Sequence, residues 1–206
     1  AVLHTINLRL HPTQLVWMVN HAEDQVVIVD ECLATTFTEV LDQMPTVSTL
    51  VVVGDASTVD APAGVTVLRF DDLADADPED FRFPILDEQA AASLCYTSGT
   101  TGDPKGVLYS HRSIAVHALI MACSEVFGVR KEDVVLSTVP MFHAMGWGLP
   151  FISILAGATL VMPGRHLTPR SMHRAISDHA VTWSSGVPTI WMDLLRYIDA
   201  AEEGVD

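Results

Sequence analysis

Apolar positions along the first 70 residues alternate between two periods. Leu15, Met18, Val19 and Ala22 recur at i, i+3, i+4 and i+7 after Pro12, which predicts an amphipathic helix. Residues 25–30 carry the run Val26-Val27-Ile28-Val29, the pattern of a parallel strand buried on both faces. Helical spacing returns at Phe37, Val40, Leu41 and Met44, and residues 50–53 and 65–70 read as further strands. The order β-α-β-α-β predicts a doubly wound α/β unit.

From residue 90 the alternation resumes. The apolar run 90–94 predicts a strand and residues 112–126 a helix with Ser110 as its N-cap. Residues 134–139, 159–162 and 181–184 read as strands, and 148–155 as a helix. Thr168-Pro169 has the form of an N-cap followed by a proline at the first helical position. Gly186-Val187-Pro188 turns into a last helix bearing Trp191, Leu194, Leu195 and Ile198. The fold class expected is α/β, with alternating β-α units forming doubly wound, mostly parallel sheets in two lobes. The first lobe covers 1–75 and the second 90–206. Acidic residues crowd positions 71–89 around Pro78 and Pro84, so 76–89 reads as a solvated linker. No internal repeat or low-complexity tract interrupts this pattern.

Composition narrows the function. With 11 Lys plus Arg against 26 Asp plus Glu, the formal net charge is −15. So acidic a surface argues against non-specific nucleic-acid binding, which needs clustered positive charge. Any nucleotide site must be locally positive, and Lys105, Arg112, loop N–H groups and a divalent cation are the candidate sources. Cys32, Cys95 and Cys123 show neither a disulfide framework nor a zinc spacing, and read as buried thiols of a reducing cytoplasm. The opening Ala1-Val2-Leu3-His4 does not resemble a signal peptide. The apolar stretch 146–162 contains Pro150 and three glycines and is shorter than the ~20 residues of a spanning helix, so it reads as a buried helix followed by a strand.

The most informative stretch is Tyr96-Thr97-Ser98-Gly99-Thr100-Thr101-Gly102-Asp103-Pro104-Lys105-Gly106. A turn rich in Gly, Ser and Thr presents backbone N–H groups and hydroxyls to an anion, and lysine adds a compact charge. Placed between a strand and a helix, it is expected to cradle the phosphates of a nucleotide. It is not the common phosphate loop, because Asp103 and Pro104 separate Gly102 from Lys105. A second cluster, Pro140-Met141-Phe142-His143-Ala144-Met145-Gly146-Trp147-Gly148, follows a strand end, where ligands of open α/β sheets collect.

The ordered string from Tyr96 to Gly106 resembles the signature of the adenylate-forming enzymes. Ala1-Val2-Leu3-His4-Thr5, Asn20-His21-Ala22-Glu23-Asp24, the segment from Pro140 to Trp147, and Gly186-Val187-Pro188-Thr189-Ile190-Trp191 are similar to those of bacterial medium- and long-chain fatty-acyl-CoA synthetases. The resemblance implies a two-step ligation. A fatty acid is activated by ATP as acyl-AMP, and coenzyme A then takes the acyl group as a thioester.

On the matching positions, Thr97, Ser98, Gly99, Thr100, Thr101, Gly102, Lys105 and Gly106 would bind the ATP phosphates. Thr97 would be a ligand for Mg2+ or phosphate. Lys105 and His143 would be the catalytic residues, Lys105 neutralising developing charge and His143 lying by the carboxylate and α-phosphate. His143, Trp147, Gly148, Val187, Pro188 and Thr189 would contact the acyl substrate, with Trp147 either gating the acyl tunnel or packing in the core. The partners implied are fatty acid, ATP and CoA, with no nucleic acid and no transmembrane segment. A homodimer is admitted, and so is a cytoplasmic location that includes the membrane periphery. The motifs of a ribose aspartate, a metal carboxylate and a C-terminal domain lysine do not follow Trp191. The chain therefore reads as a fragment of the large N-terminal region, without turnover alone and lacking the C-terminal domain. Two alternatives stand beside this reading. One is an aryl- or other acid-CoA ligase, although the aspartate of an amino-acid activator is absent near His143. The other is a nucleotide-binding module without catalysis.

Overall fold

A computed structural model of the protein describes residues 1–7, 9–74, 81–97, 103–164 and 166–202. These divide into two units. One draws on Ala1–Thr5, Asp87–Thr97 and the chain from Val107 onward, the other on Ile6–Leu86 and residues 103–106. Strand β1 (Leu3–His4) belongs to the first of these.

The second unit begins with α1 (Pro12–Ala22), where the His11 side chain accepts from the Thr13 N–H and Pro12 starts the helix. Then follow β2 (Val26–Asp30), α2 (Glu31–Thr38), a 3-10 turn at Leu41–Gln43, β3 (Thr49–Val53), β4 (Thr66–Arg69) and α3 (Phe70–Ala74). Strands β2, β3 and β4 form a parallel sheet in that order, with Ile28, Val51 and Leu68 in register. Leu15, Val19, Val27, Val29, Phe37, Leu41, Met44, Leu50 and Val52 make its core. Burying one such side chain contributes about 1.5–3 kcal/mol.

Two expectations need correction in this unit. Phe37, Leu41 and Met44 are buried as their spacing predicts, but the helix stops at Thr38. Thr35, Thr36, Thr38 and Val40 are β-branched and propagate a helix poorly, so the chain tightens into a 3-10 turn. Strand β2 is buried on one face only. Val27 and Val29 point into the core, while Val26 and Ile28 are 57% and 61% exposed.

The other unit continues with β5 (Ala91–Thr97), β6 (Lys105–Ser110), α4 (His111–Ala122), β7 (Val134–Ser137), α5 (Ala144–Trp147), α6 (Leu149–Ala156), β8 (Thr159–Val161), α7 (Pro169–Asp178), β9 (Trp183–Ser185) and α8 (Pro188–Glu202). One sheet has the order β1-β5-β6, with Leu3 and Ser93 in parallel register and the Ser93 hydroxyl donating to the Leu3 carbonyl at 2.9 Å. A second, wholly parallel sheet has the order β8-β7-β9. Val135, Leu149, Ile152, Ala118 and Val129 form the core between this sheet and helices α4 and α6. Ser110 caps α4 by accepting from the Ser113 N–H, and Thr168 caps α7 from the Ser171 N–H, as the sequence predicts.

Further expectations are corrected here. A strand, β6, precedes α4, so the Gly/Thr-rich stretch joins two hydrogen-bonded neighbours of a sheet rather than a strand and a helix. Val107 and Tyr109 favour extended backbone, and the helix that follows starts at His111, after the expected cap at Ser110, and ends at Ala122 rather than at 126. The stretch 146–162 is not wholly buried, because Ile154, Leu155 and Met162 are exposed. Of the cysteines, only Cys95 is buried; Cys32 and Cys123 sit at helix ends, turned away from the cores, and no disulfide joins the three. No helix among the described residues is long and apolar enough to cross a membrane.

Candidate active site

Because β7 and β9 are parallel neighbours, the loops that leave them share the carboxyl edge of one sheet. The loop after β7 carries His143 and Trp147, and the loop after β9 carries Val187, Pro188 and Thr189. The structure thus brings two separate sequence segments to one edge. Strand β7 is central, with β8 on one side and β9 on the other.

The β7 edge is built by a run of left-handed backbone. Ala144, Met145, Gly146, Trp147 and Gly148 have φ of 39°, 50°, 62°, 53° and 75°. Three of these are not glycine, and each costs about 1–2 kcal/mol in this region. The turn is held at its base, where the His143 N–H donates to the Pro140 carbonyl and the Trp147 N–H to the His143 carbonyl. Glycine is required at two places. A methyl on Gly146 would lie 3.1 Å from the Val139 carbonyl oxygen, and one on Gly148 would lie 2.7 Å from His117 Nδ1. The result presents His143 to solvent, with its ring 4.8 Å from that of Phe142, and leaves Trp147 38% exposed. Trp147 is therefore not a core residue.

At the β9 edge, Val187, Pro188 and Thr189 are all exposed. Hydroxyls stitch the two strands. The Thr138 hydroxyl donates to the Ser185 carbonyl at 2.6 Å and the Ser184 hydroxyl to the Leu136 carbonyl at 2.7 Å. Trp191 Nε1 donates to the Gly186 carbonyl at 3.2 Å, fixing the start of α8. Thr138, Ser185 and His117 were not singled out by sequence reasoning. The paired hydroxyl residues Ser137-Thr138 and Ser184-Ser185, each closing an apolar strand, were the available signal.

Of the phosphate-binding candidates, Thr97 ends β5 and is exposed, and Lys105 and Gly106 open β6 and are exposed. Ser98, Gly99, Thr100, Thr101 and Gly102 lie outside the described residues. A hydroxyl and an ammonium bracketing a Gly/Thr-rich connection are donors suited to a polyphosphate and its magnesium ion. Arg112, expected to add positive charge, instead donates to Glu88 at 2.8 Å, which offsets that charge locally. Among the described residues no three His, Cys, Asp or Glu side chains are grouped to hold a metal.

A pocket of about 670 Å3 lies elsewhere, within the unit built on β2, β3 and β4. Gly54, Asp55, Val67, Arg69, Asp71 and Asp72 are among its lining residues. Its polar groups serve one another. Glu31 accepts from the Asp55 N–H, Asp55 accepts from the Ser57 N–H at 2.8 Å, and Arg69 pairs with Asp71 at 3.3 Å. The Ser57 N–H, with lesser help from its hydroxyl and from Arg69, holds the Asp55 carboxyl below its ordinary range.

Comparison with known proteins settles the lineage. The model of the family described as AMP-binding enzyme matches residues 1–204.

The chain belongs to the AMP-binding enzyme family.

It is 43% identical over 197 residues to the 3-methylmercaptopropionyl-CoA ligase of Ruegeria lacuscaerulensis, covering 95% of this chain and 36% of that protein. It is 38% identical over 194 residues to the medium-chain-fatty-acid–CoA ligase of Ectopseudomonas oleovorans, covering 94% and 36%. Among solved structures, a long-chain-fatty-acid-CoA ligase from Archaeoglobus fulgidus superposes with a TM-score of 0.79 at 26% identity, covering 96% of this chain and 37% of that one. This AMP-binding enzyme chain thus spans about a third of the length of the curated relatives it matches. The α/β fold with parallel sheets is that of part of the N-terminal region of such enzymes.

Proposed function

We propose that this AMP-binding enzyme chain is the acid- and phosphate-handling part of an AMP-forming acid–CoA ligase acting on fatty acids. The observation that carries the reading is the convergence of His143, Trp147 and Val187 to Thr189 on one carboxyl edge of a parallel sheet, in a chain that also holds the ordered Thr97–Lys105 motif.

A free carboxylate resists thiol attack because its oxygen leaves poorly. In the first half-reaction a carboxylate oxygen attacks the α-phosphorus of ATP, the bond to the β-phosphate oxygen breaks, and pyrophosphate leaves. In the second, the coenzyme A sulfur attacks the acyl carbon, and AMP departs with the anhydride oxygen. Bound magnesium supplies charge neutralisation on the phosphates. Lys105 stabilises the charge that builds on departing pyrophosphate. His143, exposed at the base of the left-handed turn, hydrogen-bonds the carboxylate and holds it in line for attack. Trp147, raised by that turn and partly exposed, closes over the acyl chain. Val187 and Pro188 supply apolar wall. In the complete enzyme, further residues and a C-terminal domain supply the remaining ribose, metal and thioester contacts. Thiols at Cys32, Cys95 and Cys123 without a disulfide fit a cytoplasmic location.

A second reading differs in the acid alone. The higher identity to a ligase named for 3-methylmercaptopropionyl-CoA than to one named for medium-chain fatty acids favours a short thioether acid over a medium-chain alkyl one. Acid-dependent exchange of pyrophosphate into ATP by the complete enzyme, over thioether, medium-chain, long-chain and aryl acids, tests both. Exchange with fatty acids supports the first reading, and exchange confined to the thioether acid supports the second. No exchange with any acid leaves the non-catalytic nucleotide-binding module.

A further inference from the structure

The opening segment Ala1-Val2-Leu3-His4-Thr5 has no part in the chemistry above, yet it is built into the sheet from which the Gly/Thr-rich connection leaves. Strand β1 pairs with β5 in parallel, so the two strands point to the same edge. His4 is the register partner of Leu94, and register partners on neighbouring strands share a face. Tyr96 lies two residues beyond Leu94 and so stands on that face as well. The rings of His4 and Tyr96 meet there, with centroids 5.1 Å and planes 44° apart. Both side chains are half-buried.

The opposite end of β5 is fastened by other means. The His111 N–H donates to the Ala90 carbonyl, and Arg112 reaches Glu88 through both its N–H and its guanidinium, each at 2.8 Å. Where the chain leaves β5, Thr97 follows Tyr96 directly and is exposed. A ring pair fixes tilt as well as distance, because ring quadrupoles favour particular orientations. Tyr96 and Thr97 are successive residues of one strand, so holding the first sets how the second presents its hydroxyl. A valine or isoleucine would extend β1 better than histidine, which favours a role for the ring itself.

We propose that His4 is a positioning residue for ATP: by holding the Tyr96 ring, it fixes the direction in which Thr97 leaves β5 toward the phosphates. His4 acts through Tyr96 and not by contact with ATP. The inference rests on the reading of Tyr96 to Gly106 as the phosphate-binding stretch.

The test uses the complete enzyme with His4→Ala, His4→Phe, Tyr96→Ala, and His4→Ala combined with Tyr96→Ala. Pyrophosphate exchange gives the ATP and acid KM, supplied acyl-AMP isolates thioester formation, and calorimetry measures ATP binding without acid. Melting temperatures register folding. His4→Ala is expected to raise the ATP KM and weaken ATP binding about tenfold, the upper scale of one ring pair. The acid KM and thioester formation stay unchanged. His4→Phe, which keeps a ring, stays within about twofold of wild type. The combined variant is no worse than the weaker single one, because the two rings act as a unit. An unchanged ATP KM in His4→Ala, or ATP and acid KM rising together, overturns the inference. If His4→Ala does not fold, His4→Phe decides, and a tenfold weaker ATP affinity at a wild-type melting temperature overturns it. Wild-type enzyme that binds ATP but activates no acid overturns the proposed function, while the binding comparison still tests His4. Wild-type enzyme that binds no ATP overturns both.

Discussion

The Thr138 hydroxyl and the Ser185 carbonyl, 2.6 Å apart, tie the loop leaving β7 to the last residue of β9. Gly186 keeps that bond accessible. A methyl there would lie 2.6 Å from Thr138 Oγ1 and 3.4 Å from Trp191 Nε1. Gly186→Ala must therefore displace the hydroxyl or the indole, and overpacking of this kind costs about 1–3 kcal/mol. Thermal unfolding should show a melting temperature lower by several degrees. An unchanged value would mean that this edge yields freely.

Lys105 is proposed to act on a leaving group that exists only in the first half-reaction. In the complete enzyme Lys105→Ala should slow adenylation about a hundredfold or more. Thioester formation from supplied acyl-AMP should change far less. Single-turnover measurement of each half-reaction separates them, and equal slowing of both would remove the assigned role.

Trp147 combines exposure with φ of 53°, so it neither fills a core nor sits in relaxed backbone. Trp147→Ala should reorder kcat/KM across acids of increasing chain length and leave the ATP KM nearly constant. Its stability loss should fall well short of the 3–5 kcal/mol typical of a buried tryptophan. Trp147→Gly should be at least as stable as Trp147→Ala, because glycine adopts this torsion without strain. A large stability loss with unchanged acid ranking would sink the gate.

Legibility in the sequence followed the range of the forces involved. Local signals sufficed for α1, α7 and the cap at Ser110, where proline, hydroxyl caps and apolar spacing all act within a few residues. Strand β6 was missed because glycines and a proline just before it resemble a turn entering a helix, and the extended preference of Val107 and Tyr109 is a weak signal until a partner strand is in place. The edge positions of His143 and Val187 were legible as strand-end residues. Their adjacency was not, because it depends on β9 pairing with β7 across nearly 50 residues. The left-handed torsions of Ala144, Met145 and Trp147 run against residue preference and had no sequence signal beyond the glycines between them.

Ser153 is fully buried in α6, and its hydroxyl has no partner among the described residues. Removing an unpaired buried hydroxyl without changing the backbone should be neutral or stabilising. Ser153→Ala is expected to raise stability by up to about 1 kcal/mol, or some 2–4 °C. A lower melting temperature would show that the hydroxyl finds a partner in the folded protein.

Asp133 knots the start of β7 to β9. Its carboxylate accepts from the Arg130 N–H at 2.7 Å and from the Thr182 hydroxyl at 2.8 Å, while Thr182 accepts from the Val134 N–H. The Arg130 N–H foremost, then the Thr182 hydroxyl, hold its carboxyl below the ordinary range. A depressed folded value means that these bonds stabilise the protein above the unfolded carboxylate range, near 4, and that the contribution is lost as pH falls through that range toward the folded value. Asp133→Asn should lower the melting temperature at pH 7 by a few degrees and narrow the gap to wild type below pH 4. A constant gap across that range would place the effect elsewhere.

Gly148 carries two constraints that ordinary mutagenesis cannot separate: a torsion of 75° and an imidazole 2.7 Å from where an L side chain would begin. Chirality separates them. D-alanine adopts this torsion as its natural basin, and its methyl replaces the other α-hydrogen, directed away from His117. At this one residue the turn beneath Trp147 is a slot for the mirror-image configuration, which the genetic code can fill only with the achiral amino acid. Protein made by chemical ligation with D-alanine at 148 would retain the turn and shed glycine's excess freedom in the unfolded chain.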